Sequence, residues 1–285
     1  MIDTSSISLK ALQGENLHDV LQAVESVLQK RKIPFYLIGA QARDIQLIQQ
    51  GMQPYRATRD VDFAMMISSL DGYKSILEEL MQQYDFTPDR FEPYRLIHNR
   101  TKTVLDLLPF GEIAQKGYVR FHDRNETELS VIGMKEVYEV SQTVTLDGRF
   151  DIKVAPLQGI CILKLLAWQQ HPEVRTKDID DFKFILQHYF DLNSDEIYEK
   201  HLDLFGENFV PEKVAARVMG RHLQTLLERS ALLKEKIQQI LRENATNPEE
   251  SRMGELMIAG TDKSVAEACQ IITEILKGTE DTWPT

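Results

Sequence analysis

Two aspartates two positions apart, Asp60 and Asp62, are the residues of this sequence best suited to carry chemistry. They open the apolar segment 61–67, which predicts a buried strand. Side chains at i and i+2 of a strand share a face about 6–7 Å apart, so the two carboxylates repel each other unless a cation lies between them. Paired hard oxygen ligands with an open side suit Mg²⁺, which also takes water and substrate phosphates. The alternative is a pair of solvated acids at the end of a strand.

A third acid, Asp106, lies inside the apolar segment 103–108, which also predicts a strand. Burial of an unpaired carboxylate is expensive, so Asp106 needs a cation, a hydrogen-bond network or an exposed face. On a strand adjacent to the first two acids it would complete a two-metal site, with ions about 3.5–4 Å apart. The alternative is that Asp106 points to solvent from a half-exposed sheet.

Upstream of these acids, the apolar segment 35–38 ends at Gly39 and Ala40, and helical spacing begins at once. The start of a helix presents unpaired backbone N–H groups and the positive end of the helix dipole. This junction therefore favours an anion such as a triphosphate. A glycine after a strand also serves simply to turn the chain, and this alternative stays open.

The second half of the sequence has helical spacing almost throughout and adds a small set of charged residues. Lys164 lies in the apolar helix predicted over 157–170, and Lys177 and Asp181 share one face at the start of the next helix. An ammonium near phosphate oxygens would offset charge on a leaving pyrophosphate. The alternatives are a lysine that extends from the edge of a core helix and acids that interact with a helix dipole.

The order of strand, glycine turn, helix, Asp-x-Asp strand and single-Asp strand resembles the nucleotidyltransferase superfamily typified by DNA polymerase β. The resemblance implies that Asp60, Asp62 and Asp106 are catalytic and bind two Mg²⁺ ions, for which Mn²⁺ can substitute. It also implies that Gly39 and Ala40 contact the phosphates of a nucleotide. Family members usually have Gly or Ser where this chain has Ala40, so one hydroxyl contact is lost while backbone N–H groups remain.

Two further motifs are similar to the AbiEii/AbiGii-type group of that superfamily: Thr58-x-Asp60-x-Asp62, and Lys164 followed by Lys177-Asp178-x-x-Asp181. The resemblance covers roughly residues 35–190 and implies nucleotide-binding roles for Lys164, Lys177 and Asp181. It implies transfer of a nucleoside monophosphate from an NTP, such as ATP, to a hydroxyl, with release of pyrophosphate.

The acceptor stays open between tRNA or another RNA and a small-molecule hydroxyl of the antibiotic type. Members of the group include toxins of type IV toxin–antitoxin systems, which implies a possible antitoxin protein as partner. A non-catalytic module that binds a nucleotide or a partner on the same fold is the third interpretation, which Ala40 permits.

Composition sets the limits on these interpretations. The chain of 285 residues has a formal net charge of −11 and is 42% hydrophobic, which excludes a mostly disordered chain. The net acidity argues against a generic, fully basic nucleic-acid coat but leaves a local basic cleft open. No apolar segment reaches the roughly 18 residues of a membrane span, and the N-terminal residues do not resemble a signal peptide. Two cysteines fit a reducing compartment. We therefore expect a soluble, cytoplasmic protein that has no membrane partner.

The elements that must position the acids change in character near residue 155. Strands and helices alternate before it, whereas the remainder is helical. We therefore predict an α+β fold, with an N-terminal nucleotidyltransferase-like mixed sheet flanked by helices and then an all-helical C-terminal domain. The predicted boundaries are 1–155 for the catalytic domain and 156–285 for the helical domain.

Overall fold

A computed structural model describes residues 6–12, 17–55, 58, 60–122, 126–206 and 209–283. The chain divides into two compact units, Met1–Pro156 and Leu157–Thr285. The first unit contains a mixed sheet with helices, and the described elements of the second are helical. The predicted α+β fold class is thus confirmed, while the catalytic and helical domains assigned to 1–155 and 156–285 stay predictions.

The first unit alternates between strands and helices before it becomes rich in strands. Its described elements are β1 (Ser6–Ile7), α1 (Leu17–Lys30), β2 (Phe35–Ile38), α2 (Gly39–Gln49), β3 (Asp60–Met66), α3 (Leu70–Gln83), β4 (Phe86–Pro88), β5 (Arg95–His98), β6 (Val104–Phe110), β7 (Tyr118–Arg120), β8 (Glu128–Ser130), α4 (Met134–Val140), β9 (Gln142–Leu146) and β10 (Phe150–Val154).

Eight of these strands form one sheet in the order β1-β9-β10-β2-β3-β6-β5-β4. The central strand β3 runs parallel to β6 and antiparallel to β2, while β5 runs antiparallel to β6. Strands β3 and β6 are rich in buried apolar residues such as Phe63 and Leu107, as expected for strands covered on two faces. The three strands predicted to carry the site therefore lie side by side in the core of this unit.

Strand β6 extends further than the sequence predicts. The predicted strand over 103–108 ends before Pro109, but β6 continues through Pro109 to Phe110 alongside β3. The N–H of Leu107 donates to Tyr94 on the β5 side, and Pro109, two residues later, faces the same side beyond the end of β5. The missing N–H of proline therefore removes no ladder hydrogen bond there.

The second unit is built from helices in its described residues. They are α5 (Leu157–Gln170), α6 (Thr176–Leu192), α7 (Ser194–Lys200), a short 3₁₀ turn (Leu202–Leu204), α8 (Pro211–Leu227), α9 (Ala231–Ala245), α10 (Arg252–Ile258) and α11 (Val265–Gly278). Helices α8 and α11 pack closely where Gly220 meets Gly278. Within the described part of the chain, no helix combines the length and apolarity that crossing a membrane requires.

Candidate active site

The register of the sheet brings the three predicted acids together. Asp62 on β3 pairs with Ile38 on β2 and with Asp106 on β6. Asp106 in turn pairs with Arg95 on β5. Residues directly opposite each other in a sheet share a face, and Asp60 shares that face because it precedes Asp62 by two positions. Three carboxylates and one guanidinium therefore project from the same side of the sheet; the catalytic role of the acids stays a prediction.

Gly39 lies directly against Asp62 in this row of acids. Its φ angle is +69°, in the left-handed region, and a Cβ placed on it would lie 2.1 Å from Oδ2 and 2.9 Å from Cγ of Asp62. Any other residue would thus collide with the carboxylate and adopt a strained backbone conformation. The strand–helix junction needs glycine because α2 begins directly against Asp62.

The N-terminus of α2 carries no capping or acidic side chain of its own, and the predicted phosphate site there stays a prediction. The residue before the helix, Ile38, makes no side-chain capping bond, and the first turn contains no acidic residue. Its first backbone N–H groups, which include those of Gly39 and Ala40, are therefore not satisfied by a cap of this kind. Gly39 and Ala40 are both half-buried. An anion at this helix end would meet backbone donors and no carboxylate of the first turn, but it would lie close to the Asp62 carboxylate, so a cation between the two would favour its binding.

Asp106 is buried and paired with an arginine that the sequence did not single out. Nε of Arg95 lies 2.7 Å from Oδ1 of Asp106, and Nη2 lies 2.8 Å from Oδ2, so the guanidinium binds both carboxylate oxygens. Burial raises the pKa of Asp106, Arg95 acts against that rise, and the Asp60 carboxylate adds to it. The alternative in which Asp106 points to solvent is excluded, because the residue is only 7% exposed.

The pairing of Arg95 with Asp106 could have been predicted from the spacing of the two residues in the sequence. The two residues lie at similar distances on either side of the polar stretch 99–101, which separates two predicted strands. Opposite charges placed in this way meet across an antiparallel hairpin if the register is symmetric about its turn. The structure has this register, since Ile97 pairs with Val104 and Arg95 with Asp106.

The donor set around this row fits a divalent cation. Asp60 is exposed, Asp62 is half-buried and Asp106 is buried, so the carboxylates extend from solvent into the sheet. Carboxylate oxygens are ligands that Mg²⁺ and Mn²⁺ prefer. Among the described residues of this row, three carboxylates face one guanidinium, and the lack of a side chain at Gly39 lets the Asp62 carboxylate lie directly against the start of α2. These residues could therefore hold the cation that the sequence predicts.

The loop that precedes β3 is tied to α2 at its end. Gln41, which is buried, donates from Nε2 to the carbonyl oxygen of Thr58 at 3.3 Å. The hydroxyl oxygen of Thr58 accepts a hydrogen bond from the backbone N–H of Asp60 at 3.2 Å. These contacts fix the start of β3, where the first acid lies. Residues 56, 57 and 59 of this segment lie outside the described residues.

In the second unit, Lys164 belongs to a buried ion-pair cluster. Its Nζ lies 3.1 Å from Oδ1 of Asp178 and 2.6 Å from Oδ2 of Asp181, and Nε of Arg175 lies 2.7 Å from the other oxygen of Asp178. Burial acts to lower the pKa of Lys164, but the two carboxylates outweigh burial and the pKa is raised. Lys164 is therefore a charged core residue and does not extend into solvent.

Lys177 differs from these neighbours because its side chain is exposed, whereas Asp181 is buried. The two residues were predicted to share one helix face, but they differ in burial. The structure instead joins Asp181 to Lys164. The nucleotide-binding roles of Lys164, Lys177 and Asp181 stay predictions.

A further group of possible metal ligands lies in the second unit and was not evident from the sequence, because one member, His222, lies more than twenty residues after the other two, Glu196 and His201. One ligand atom from each of Glu196, His201 and His222 lies within 4.8 Å of the others. However, Nη1 of Arg221 lies 2.9 Å from Nδ1 of His201. A guanidinium can only donate, so Nδ1 accepts and the neutral ring carries its proton on Nε2. His201 then offers no lone pair on Nε2, which disfavours a metal centre here.

The comparisons with known proteins agree with the arrangement in the first unit. The chain belongs to the AbiEii family, because the family profile described as "Nucleotidyl transferase AbiEii toxin, Type IV TA system" matches residues 32–258. This match confirms the predicted family and the nucleotidyltransferase class. The matched span contains all the predicted site residues. No match was found among curated protein sequences.

Several solved structures resemble the chain weakly. The solution structure of the antibiotic-resistance factor ANT(2'')-Ia is 14% identical, with 76% of this chain and 95% of that chain covered and a TM-score of 0.40. Lincomycin-bound lincosamide antibiotic adenylyltransferase LnuA is 14% identical, with 58% and 93% covered and a TM-score of 0.36. The complex of a CCA-adding enzyme with ATP is 15% identical, with 87% and 54% covered and a TM-score of 0.35.

Proposed function

We propose that this protein transfers a nucleoside monophosphate from an NTP to a hydroxyl group of an acceptor, in a reaction that depends on Mg²⁺ or Mn²⁺. One observation carries the proposal: the register of β3 and β6 places Asp62 beside Asp106, while Gly39 closes against Asp62. Arg95 gives Asp106 a structural partner, but two further carboxylates on the same face of the sheet add negative charge that a divalent cation would offset.

In the proposed reaction the acceptor oxygen forms a bond to the α-phosphorus, and the bond from that phosphorus to the bridging oxygen breaks. Pyrophosphate leaves with the electrons of the broken bond. Divalent cations, when bound, would offset the charge of the triphosphate and make the acceptor hydroxyl more acidic. Asp60 and Asp62 would hold these cations, while Asp106 would serve the acceptor side and help to remove the hydroxyl proton.

The phosphates of the NTP would lie at the N-terminus of α2. Backbone N–H groups at Gly39 and Ala40 would donate to phosphate oxygens, and the helix dipole would add to the attraction. Because Ala40 has no hydroxyl, this site would rely on the backbone alone. We further propose that Lys164, Lys177 and Asp181 contribute to nucleotide binding. The ion pair of Lys164 with Asp181 then suits a role in which the lysine positions the acid.

We propose an RNA acceptor, with tRNA as the first candidate, because the family description includes toxins of type IV toxin–antitoxin systems. An antitoxin protein would then be a partner of the system. A small-molecule hydroxyl remains the alternative acceptor, since the described acids determine the reaction and not the molecule that presents the hydroxyl.

The experiment that tests this proposal combines four α-labelled NTPs, Mg²⁺ and bulk tRNA with the wild-type protein, with Asp62→Asn and with a control, Asp71→Asn. Asp71 is an exposed acid in the first turn of α3, so its replacement removes the same charge outside the proposed site. We expect label on RNA with the wild type and the control, and none with Asp62→Asn, while circular dichroism shows all three folded.

The other outcomes separate the alternatives. Pyrophosphate release without labelled RNA would indicate a small-molecule acceptor. NTP binding without pyrophosphate release would indicate a non-catalytic module on the same fold. Full activity of Asp62→Asn would refute the assignment of the acids.

A further inference from the structure

Arg95 forms an ion pair with Asp106, the most buried acid of the proposed site. Its guanidinium binds both oxygens of Asp106, at 2.7 and 2.8 Å. The side chain of Asp106 is 9% exposed and that of Arg95 is 33% exposed, so the pair is partly shielded from solvent. A cation that belongs to the protein itself therefore already neutralises this carboxylate.

The three acids are not equivalent toward a divalent cation. Asp60 lies at the exposed start of β3, and Asp62 shares its face two positions further along. Asp106 can be shared with a metal ion only if the ion comes within a few ångströms of the Arg95 guanidinium. Like charges at such a distance repel strongly where water is partly excluded, so each cation weakens the binding of the other.

We propose that Arg95 is the internal counter-ion of Asp106 and lowers the affinity of that side of the site for divalent cations. Without nucleotide, a divalent cation binds to Asp60 and Asp62, while Asp106 stays with Arg95. Binding on the Asp106 side then requires the negative charge of the NTP, which offsets the charge of the guanidinium. This inference deepens the proposed function and rests on its metal site. It makes Arg95 a positioning residue for the reaction.

The test is the binding of Mn²⁺ alone, without nucleotide, measured by electron paramagnetic resonance of the free ion and by titration calorimetry. Arg95→Gln removes the charge but keeps a donor for Asp106. We expect Arg95→Gln to bind Mn²⁺ at least about tenfold more tightly than the wild type and to bind a second ion. Arg95→Lys keeps the charge and should resemble the wild type.

Arg31→Gln is the matched control. Arg31 pairs with Glu79 elsewhere in the first unit, and the exposed fractions of the two side chains, 31% and 10%, are close to those of Arg95 and Asp106. This variant should bind Mn²⁺ as the wild type does. A gain of affinity in the control equal to that in Arg95→Gln would show a general charge effect and overturn the proposal.

Replacement of Asp106 tests the role of Arg95 even if Arg95→Gln does not fold. Asp106→Asn alone leaves the Arg95 guanidinium without its carboxylate, so it should weaken Mn²⁺ binding. The double variant Arg95→Gln/Asp106→Asn removes both charges and should bind Mn²⁺ about as the wild type does. Much weaker binding in the double variant than in the wild type, or unchanged binding in Arg95→Gln, would overturn the role of Arg95 and leave the metal site intact. Absence of Mn²⁺ binding in every form, the wild type included, would refute the metal site of the proposed function as well.

Discussion

Replacement of Gly39 by alanine separates the chemistry of the site from the stability of the fold. The new Cβ would lie 2.1 Å from Oδ2, 2.9 Å from Cγ and 3.2 Å from Cβ of Asp62. The nearest of these atoms is the end of a side chain that can rotate, so the backbone need not separate. The carboxylate, however, must move by about 1 Å to restore an ordinary contact, and a displacement of that size can reduce catalysis about 100-fold.

The effect on stability should be modest by comparison. An alanine in the left-handed region costs about 1–2 kcal/mol relative to glycine. For a unit of this size, that corresponds to a decrease in Tm of about 2–8 °C. Gly39→Ala should therefore fold, melt a few degrees earlier and lose about two orders of magnitude in transfer rate.

Gly148→Ala is the control for this prediction. Gly148 lies in the turn between β9 and β10 with a φ angle of +63°, and no atom lies within 4 Å of the position of a new Cβ. It carries the same backbone cost without a collision. Label transfer to tRNA and thermal melting should be measured on both variants. Equal activity in Gly39→Ala and Gly148→Ala would refute the reasoning, because it would show that Asp62 tolerates the displacement.

Three further predictions concern the second unit. Lys164→Met should lower the free energy of unfolding, measured in urea, by about 3–5 kcal/mol, because the buried carboxylates lose their ammonium partner. The control Lys177→Met changes an exposed lysine and should lower it by less than about 0.5 kcal/mol. Equal losses in the two variants would contradict the buried ion pair. Gly220→Ala would place a Cβ 2.1 Å from the carbonyl oxygen of Ile275, so we expect a loss of about 1–3 kcal/mol, and unchanged stability would show that α8 and α11 can separate. Burial lowers the pKa of His222 from 6.5, so the unfolded chain binds the proton more readily and the free energy of unfolding should fall as the pH drops below 6.5. In urea unfolding, His222→Asn should show a smaller fall of this free energy with pH. An identical pH dependence in the variant and the wild type would exclude His222 as the cause.

The elements that carry the site were predictable because their sequence pattern is local. The apolar run of β2 was predicted with its observed bounds, Phe35–Ile38, and it ends at a glycine that the structure shows to be required. The helix predicted over 157–170 has its observed bounds as well. In both cases burial on all sides produces a continuous apolar segment with a sharp end, which a sequence reveals directly.

What the sequence did not reveal depends on pairing between distant segments. Strand β1 has only two residues, Ser6 and Ile7, and exists because it pairs with β9 near the end of the first unit. The helix α4 was not predicted individually, because its seven residues are too few for a clear helical period. Arg95 gains its importance only through the register of a hairpin. Such features follow from tertiary contacts and not from local propensity.

The parallel pairing of β3 with β6 also determines when the site can form during synthesis. The paired segments are more than forty residues apart in the sequence, and α3, β4 and β5 must be accommodated between them. Pairing between segments so far apart closes a loop, which costs conformational entropy and slows folding relative to local contacts. A nascent chain or a truncated fragment that ends before Phe110 carries Asp60 and Asp62 but has no complete β6 to hold Asp106 opposite them. The assembled row of acids is thus restricted to molecules whose translation has passed the end of this strand.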